Sequence, residues 1–168
     1  MKAIRWILAI FAAVSLSGCF TAKTPLVTDE NAVAPYARIS FATTKNPDDW
    51  KTLPREGKAY VGQDKDGKRF ELRLRPFDDN FYLAQASASI NGQDYSLYAF
   101  VKVAEDKKTA VAYRAIADVK VDAGSGLAVC KQGNTDVICI EDVGAYLQLA
   151  KAAEKAGRKD MEYLLKLE

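Results

Sequence analysis

The sequence predicts an α+β domain: an antiparallel β-meander, forming a curved sheet or partial barrel, followed by one or two C-terminal helices. Three observations predict it. Between about residue 58 and residue 116, apolar and polar residues alternate in several stretches, the period of a strand with one buried face. Short turn signals such as Asn91-Gly92 separate these stretches, and hairpins strung together in this way make a meander. Beyond Glu141 the apolar spacing lengthens to that of a helix.

In chain order, residues 20 to 35 (FTAKTPLVTDENAVAP) carry few large apolar side chains, contain Pro25 and Pro35 and follow neither period. They read as a flexible tether, which fully extended would reach about 50 Å. The domain proper is expected from residue 36 to residue 168. Ala59-Tyr60-Val61-Gly62 is a first strand, joined through Asp64-Lys65-Asp66-Gly67, a turn with glycine where a positive φ is wanted. Lys68 to Arg75 then puts Phe70, Leu72 and Leu74 on one face and Arg69, Glu71, Arg73 and Arg75 on the other.

Phe81 to Ile90 follows, and within it Ala84 to Ser89 has small residues on both faces. Something bulky must approach it, such as the C-terminal helix or Tyr98, Phe100 and Tyr113. Close packing accounts for this; the functional reading is the floor of a ligand cavity. Tyr95 to Val103 alternates again, and the polar turn Glu105 to Lys108 leads into Thr109 to Ile116. Glu141 and Asp142 open a helix with Val143, Tyr146, Leu147, Ala150 and Ala153 on one face and Gly157 as its stop. Asp160 is placed to cap a second short helix through Met161, Leu164 and Leu165.

Composition excludes much chemistry. The chain of 168 residues has 24 Lys plus Arg, 22 Asp plus Glu and no histidine. Without imidazole there is no Ser-His-Asp or Cys-His couple, no HExxH zinc site and no switch near neutral pH. A net charge of +2 is too small to be the footprint of a nucleic-acid binder, and no nucleic acid, metal or cofactor is expected. Asp64 to Arg69 fails the calcium-loop pattern, with Lys68 and Arg69 in its fifth and sixth places. Asp122 to Gly126 lacks the lysine of a P-loop. The acid pairs Asp48-Asp49, Asp78-Asp79 and Glu141-Asp142 read as solvated or capping groups. Arg69, Arg73 and Arg75, with Arg114 from a neighbouring strand, form a candidate patch for an anionic partner; arginines paired to local acids are the plainer account.

The first residues have the layout of a secretory signal peptide: Lys2 and Arg5, an apolar run from Trp6 to Leu16, then small residues. Eleven apolar residues span about 16 Å as a helix, half of a hydrocarbon core. Leu16-Ser17-Gly18-Cys19 resembles the lipobox of bacterial lipoproteins. The resemblance implies cleavage before Cys19 and acylation of its thiol and amine, so that membrane lipid is the first partner. Losing residues 1 to 18 removes two basic and no acidic residues, leaving a side-chain charge of zero. Phe20 is not the aspartate that marks inner-membrane retention in enteric bacteria, which favours the outer membrane.

In a periplasm, Cys130 and Cys139 are then an even pair and read as one disulfide. The turn-forming Gln132-Gly133-Asn134 between them predicts a hairpin that sets them opposite one another, and closing so short a loop is worth roughly 2.7 kcal/mol. The functional expectation is a membrane-anchored, non-enzymatic envelope module that binds a protein or cell-wall component or serves a structural role. The alternatives are a small-ligand carrier or inhibitor-type β domain, to which small periplasmic lysozyme inhibitors are similar in broad layout, and a hydrolase that works without histidine.

Overall fold

The computed structural model describes residues 20–63, 67–78, 80–90, 92–113, 125–132, 135–155 and 161–168. Among them lie eleven strands: β1 (Phe20–Thr21), β2 (Arg38–Thr43), β3 (Asn46–Glu56), β4 (Ala59–Gln63), β5 (Arg69–Asp78), β6 (Phe81–Ile90), β7 (Gln93–Val103), β8 (Thr109–Tyr113), β9 (Leu127–Gln132), β10 (Thr135–Ile140) and β11 (Met161–Leu167). One helix, α1 (Val143–Lys155), stands between β10 and β11. Strands β4 to β8 form the expected antiparallel meander, β2 and β3 extend it ahead of β4, and β11 pairs with both β8 and β2 to close it into an eight-stranded barrel. Closure removes every sheet edge from the main layer.

Alternation along the strands sorts the side chains into two cores. Phe70, Leu72 and Leu74 of β5 face the barrel interior opposite Ala88, Ala86 and Ala84 of β6, and are joined there by Ile39, Leu53, Tyr60, Val101, Val103 and Leu165. The other face of β6 and β7 presents Leu83, Tyr98 and Phe100 outward, and there a second core forms. It is covered by β1 together with the excursion between β8 and β11: β9 and β10, which join β1 in a small sheet ordered β1-β10-β9, and helix α1, whose Tyr146, Leu147 and Ala150 are buried. Tyr146 stacks between Phe20 and Phe100, with ring centroids 4.6 Å and 4.7 Å away. Asp142 caps α1, accepting hydrogen bonds from the N–H groups of Gly144 (2.7 Å) and Ala145 (3.3 Å). Gly126 ties the hairpin to this cap through its carbonyl, which accepts from both Glu141 and Asp142. Its φ of 70° and the closeness of Ala145 and Asp142 leave no room for a side chain.

Three expectations are corrected. Residues 161–167 are not a second helix but the closing strand β11. Met161, Leu164 and Leu165 fit a helical face, yet Tyr163, Leu165 and Leu167 also alternate, and the open gap between β2 and β8 selects the strand. Residues 20–35 are not a free tether. Phe20, Val27 and Ala32 are buried, Leu26 N–H donates to the Tyr98 hydroxyl, Val27 N–H to Gln85, and Val33 pairs with Leu74. The segment is a belt that crosses β7, β6 and β5 before turning into β2. The cysteines, finally, are bridged but not opposite: Cys130 pairs in register with Val137 and Cys139 with Ala128, so the disulfide runs diagonally across the hairpin, Cα to Cα 5.8 Å.

Strands β2 and β3 have no counterpart in the sequence reading, because Pro47 and Pro54 argue against a strand. In the fold, Arg55 N–H bonds back to Ala37 on the β2 side. The donor that Pro54 lacks would therefore have faced β4, and the β3–β4 ladder is only Arg55↔Tyr60 and Glu56↔Ala59. The leader and Cys19, the acid-rich turn Asp64 to Asp66, Asp79, Asn91, Arg114 to Ile116, Asp122 to Gly124, Gly133-Asn134, Gly157 and Asp160 lie outside the described residues.

Tyr60 is fully buried in the barrel, and its hydroxyl accepts the N–H of Tyr36 at 3.0 Å. Replacing it by phenylalanine strands that donor, and the expected loss in chemical denaturation is about 1–3 kcal/mol. Burial pushes the Tyr60 hydroxyl up from 10.0 to about 12, a rise that the Tyr36 hydrogen bond only partly offsets. The folded form thus holds its proton more tightly than the unfolded one. The stability from this group is complete below pH 10 and lost as the pH rises toward 12, so Tyr60→Phe should flatten alkaline unfolding in that window.

Candidate functional site

The barrel's two ends differ. At the end bounded by the β3–β4, β5–β6 and β7–β8 connections, Ile39, Leu53, Leu74, Val103 and Leu167 are all buried. The belt crosses here: the Arg55 guanidinium donates to the Ala34 carbonyl, and the Tyr36 backbone rests on the Tyr60 hydroxyl. Burial raises the Tyr36 hydroxyl above its ordinary range, with Tyr82 close enough to add to the effect. This end is stoppered by tyrosines.

Toward the opposite end, inward-facing residues are only half-buried. Phe41, Phe70, Leu72, Leu97 and Tyr163 all retain contact with solvent, and so do Ala86 and Ala99 near mid-barrel. Phe41 and Tyr163 meet edge to face at 6.1 Å. Gly62 faces inward under the Phe70 ring, which stands where a Cβ would be, 2.4 Å away. A long stretch of the wall is alanine: Ala84, Ala86 and Ala88 on β6, Ala99 on β7, Ala110 and Ala112 on β8. An eight-stranded barrel is just wide enough for its side chains to fill, or to hold one small ligand when they do not. Ala84, Ala110 and Ala112 are packed into the barrel core, and the half-buried end beyond them is apolar and aromatic.

The arginine row lies outside the barrel, and its charge is matched locally. Arg69 pairs with Glu56 at 2.9 Å and with Glu71 at 3.4 Å. Arg73 pairs with Glu71 at 3.2 Å and with Asp29 of the belt. Arg75 donates to the Leu26 carbonyl at 3.2 Å, its guanidinium 5.1 Å from the Phe77 ring centroid. The row therefore fastens the belt, while its fourth member, Arg114, is among the residues not described. Helix α1 is clamped in a similar way: Lys151 bonds Asp78, holding that carboxyl below its ordinary range, and Glu154 bonds Lys102.

The small residues of β6 were legible as a packing surface or the floor of a ligand cavity; the structure packs both faces, Ala84 inward in the barrel core and Gln85 and Ser87 outward beneath the belt. Phe41 and Tyr163 were missed. The signals that would have found them are short alternations, Ile39-Ser40-Phe41 and Tyr163-Leu164-Leu165-Lys166-Leu167. Set against known proteins, the chain matches no family model, no curated relative and no solved structure.

Proposed function

We propose that the protein is a lipid-anchored envelope module that carries a small apolar ligand in the open end of its barrel. The observation that carries this reading is the asymmetry of the interior: at the base Ile39, Leu53, Tyr60, Leu74, Val103 and Leu167 are buried, while inward-facing Ala86, Leu97, Ala99 and the aromatic residues of the opposite end are only half-buried. Of the functions compatible with the sequence, the ligand carrier gains most from this geometry. A protein-binding module does not need a hollow end. The arginine row, spent on Glu56, Glu71 and Asp29, lends little to an anionic docking site. The lipobox at Leu16 to Cys19 supports the envelope placement.

A fluorescent apolar probe such as N-phenylnaphthylamine tests the reading. Titration should show saturable emission enhancement with one site per chain. Ala86→Trp and Ala99→Trp, made separately, fill the open end and should each weaken binding by about tenfold or more, roughly 1.4 kcal/mol. Their unfolding should stay cooperative, because the substituted positions already touch solvent. Probe binding unchanged in both variants would place the site elsewhere, and no saturable binding would sink the carrier reading.

A further inference from the structure

We infer that Gly62 is a specificity-determining position of the carrier: it lets the Phe70 ring lie against the barrel wall, and the ring in that place limits the ligand to a slender apolar one, a chain or flat ring rather than a globular cage. The inference rests on the carrier reading given above and adds to it the residue pair that selects among ligands.

A glycine inside a strand needs a reason, since it weakens the strand and offers no side chain to pack. The backbone supplies none here. Gly57, Gly67, Gly92 and Gly126 have positive φ, whereas Gly62 does not. Its ladder with β5 is regular, Val61 against Glu71, Gly62 against Phe70 and Gln63 against Arg69. The reason is space. A Cβ on Gly62 would stand 2.4 Å and 2.7 Å from Cζ and Cε1 of Phe70, and 2.6 Å from Cδ2 of Leu53, well inside van der Waals contact. Two side chains, one from each neighbouring strand, therefore meet over the bare backbone. The β3–β4 ladder has already ended at Tyr60, so among the described residues this meeting of Leu53 and Phe70 continues the wall from β3 to β4.

The two side chains differ in freedom. Leu53 is buried in the barrel core, whereas Phe70 is half-buried and packs on that core from the open end. On its other flank Phe70 pairs with Ala88 of β6, so the ring has a small neighbour on either side, and the glycine decides which way it lies. Over Gly62 it is part of the wall. A methyl group on Gly62 would displace it, since a buried leucine yields less readily than a half-buried ring. The displaced ring turns toward Ala88 and the interior, across the way a ligand takes from the open end. In a barrel of eight strands, just wide enough to be filled by its own side chains or to hold one small ligand, the place of one ring decides the girth of what enters.

The test uses the mature chain with Cys19→Ala, so that neither acyl chains nor detergent compete for the site, and follows displacement of N-phenylnaphthylamine by two alcohols. Decan-1-ol is a straight chain; adamantan-1-ylmethanol is a globular cage. Phe70→Ala should tighten binding of the cage by about tenfold or more and change that of decanol by less than about threefold. Gly62→Ala should weaken the probe and both alcohols by about tenfold or more. The double variant, in which the added methyl meets no ring, should return to within about threefold of Phe70→Ala. Urea midpoints are measured on each chain, and where Gly62→Ala fails to fold, the selectivity of Phe70→Ala decides alone. Unchanged selectivity in Phe70→Ala would overturn the ring as a gauge and leave the carrier standing. A folded Gly62→Ala that binds like the parent, or a loss that Phe70→Ala does not relieve, would overturn the hold of Gly62 on the ring. No saturable probe binding by the parent would overturn the carrier reading and the gauge with it.

Discussion

Leu165→Asp is expected to leave the protein largely unfolded at room temperature, whereas Leu164→Asp, one residue away, should cost well under half as much. Leu165 is buried inside the barrel between Phe41 and Ala110. A carboxylate there loses the leucine contacts and enters an apolar interior unpaired, two effects that together exceed about 4–5 kcal/mol. Against a total stability of about 5–15 kcal/mol for an ordinary domain, that is most or all of it. Leu164 faces the outside of β11, level with Ala42 and Val111, and is half-buried. The comparison is decisive about the last segment. A helix with Met161, Leu164 and Leu165 on one face would suffer from both substitutions alike; a strand suffers from one. Near-UV circular dichroism and urea midpoints of the two variants measure the difference, and equal losses would contradict the closing strand.

Tyr146→Ala should be the most damaging substitution outside the barrel. The side chain is fully buried, and it joins three elements: its own helix, the β1 residue Phe20, and Phe100 on the outer face of β7. Truncating a buried aromatic side chain costs about 3–5 kcal/mol, a fall in Tm of roughly 10 °C for a domain of this size. Tyr146→Phe keeps both ring contacts and gives up a long 3.5 Å hydrogen bond to the Tyr98 carbonyl, so its effect should be well below that of the alanine variant. The aromatic stack, not the hydroxyl, is then what holds the outer layer. If Tyr146→Ala melted within a degree or two of the parent, the second core would be ornamental to stability.

How far the sequence discloses this fold depends on whether a local signal had a rival. Strands β5, β6 and β7 were plain, since Phe70-Glu71-Leu72-Arg73-Leu74 alternates without competition and Gly92, at φ 78°, marks the turn between β6 and β7. Helix α1 and its Asp142 cap were plain for the same reason. Strand β11 had a rival, because Met161, Leu164 and Leu165 satisfy a helical spacing, and only a long-range gap between β2 and β8 arbitrates. Strands β2 and β3 were hidden by Pro47 and Pro54: the donor Pro54 lacks faces β4 just beyond the end of that short ladder, and Pro47 lies where the β2–β3 register shifts. The belt was hidden by composition: Phe20, Val27 and Ala32 follow no period because they are pinned one by one to Tyr146, Gln85 and the outer core. Half of the site was readable in the small residues of β6; the aromatic half needed Phe41 and Tyr163 to be brought together across the seam.

That seam bears on how the molecule comes into being. The pairing that completes it joins β2 with β11, strands about 120 residues apart. A chain that emerges N-terminus first, from a ribosome or through a membrane pore, cannot form it until residues 161–167 are free. Until then β2 waits with an open edge. Long-range closures of this kind are slow, and unpaired edges are the places where growing β chains stick to one another. Closure of the barrel is thereby deferred until β11 is delivered. The topology keeps the chain threadable for as long as it is in transit, and it makes the interval just after release the one in which a holding chaperone would matter most.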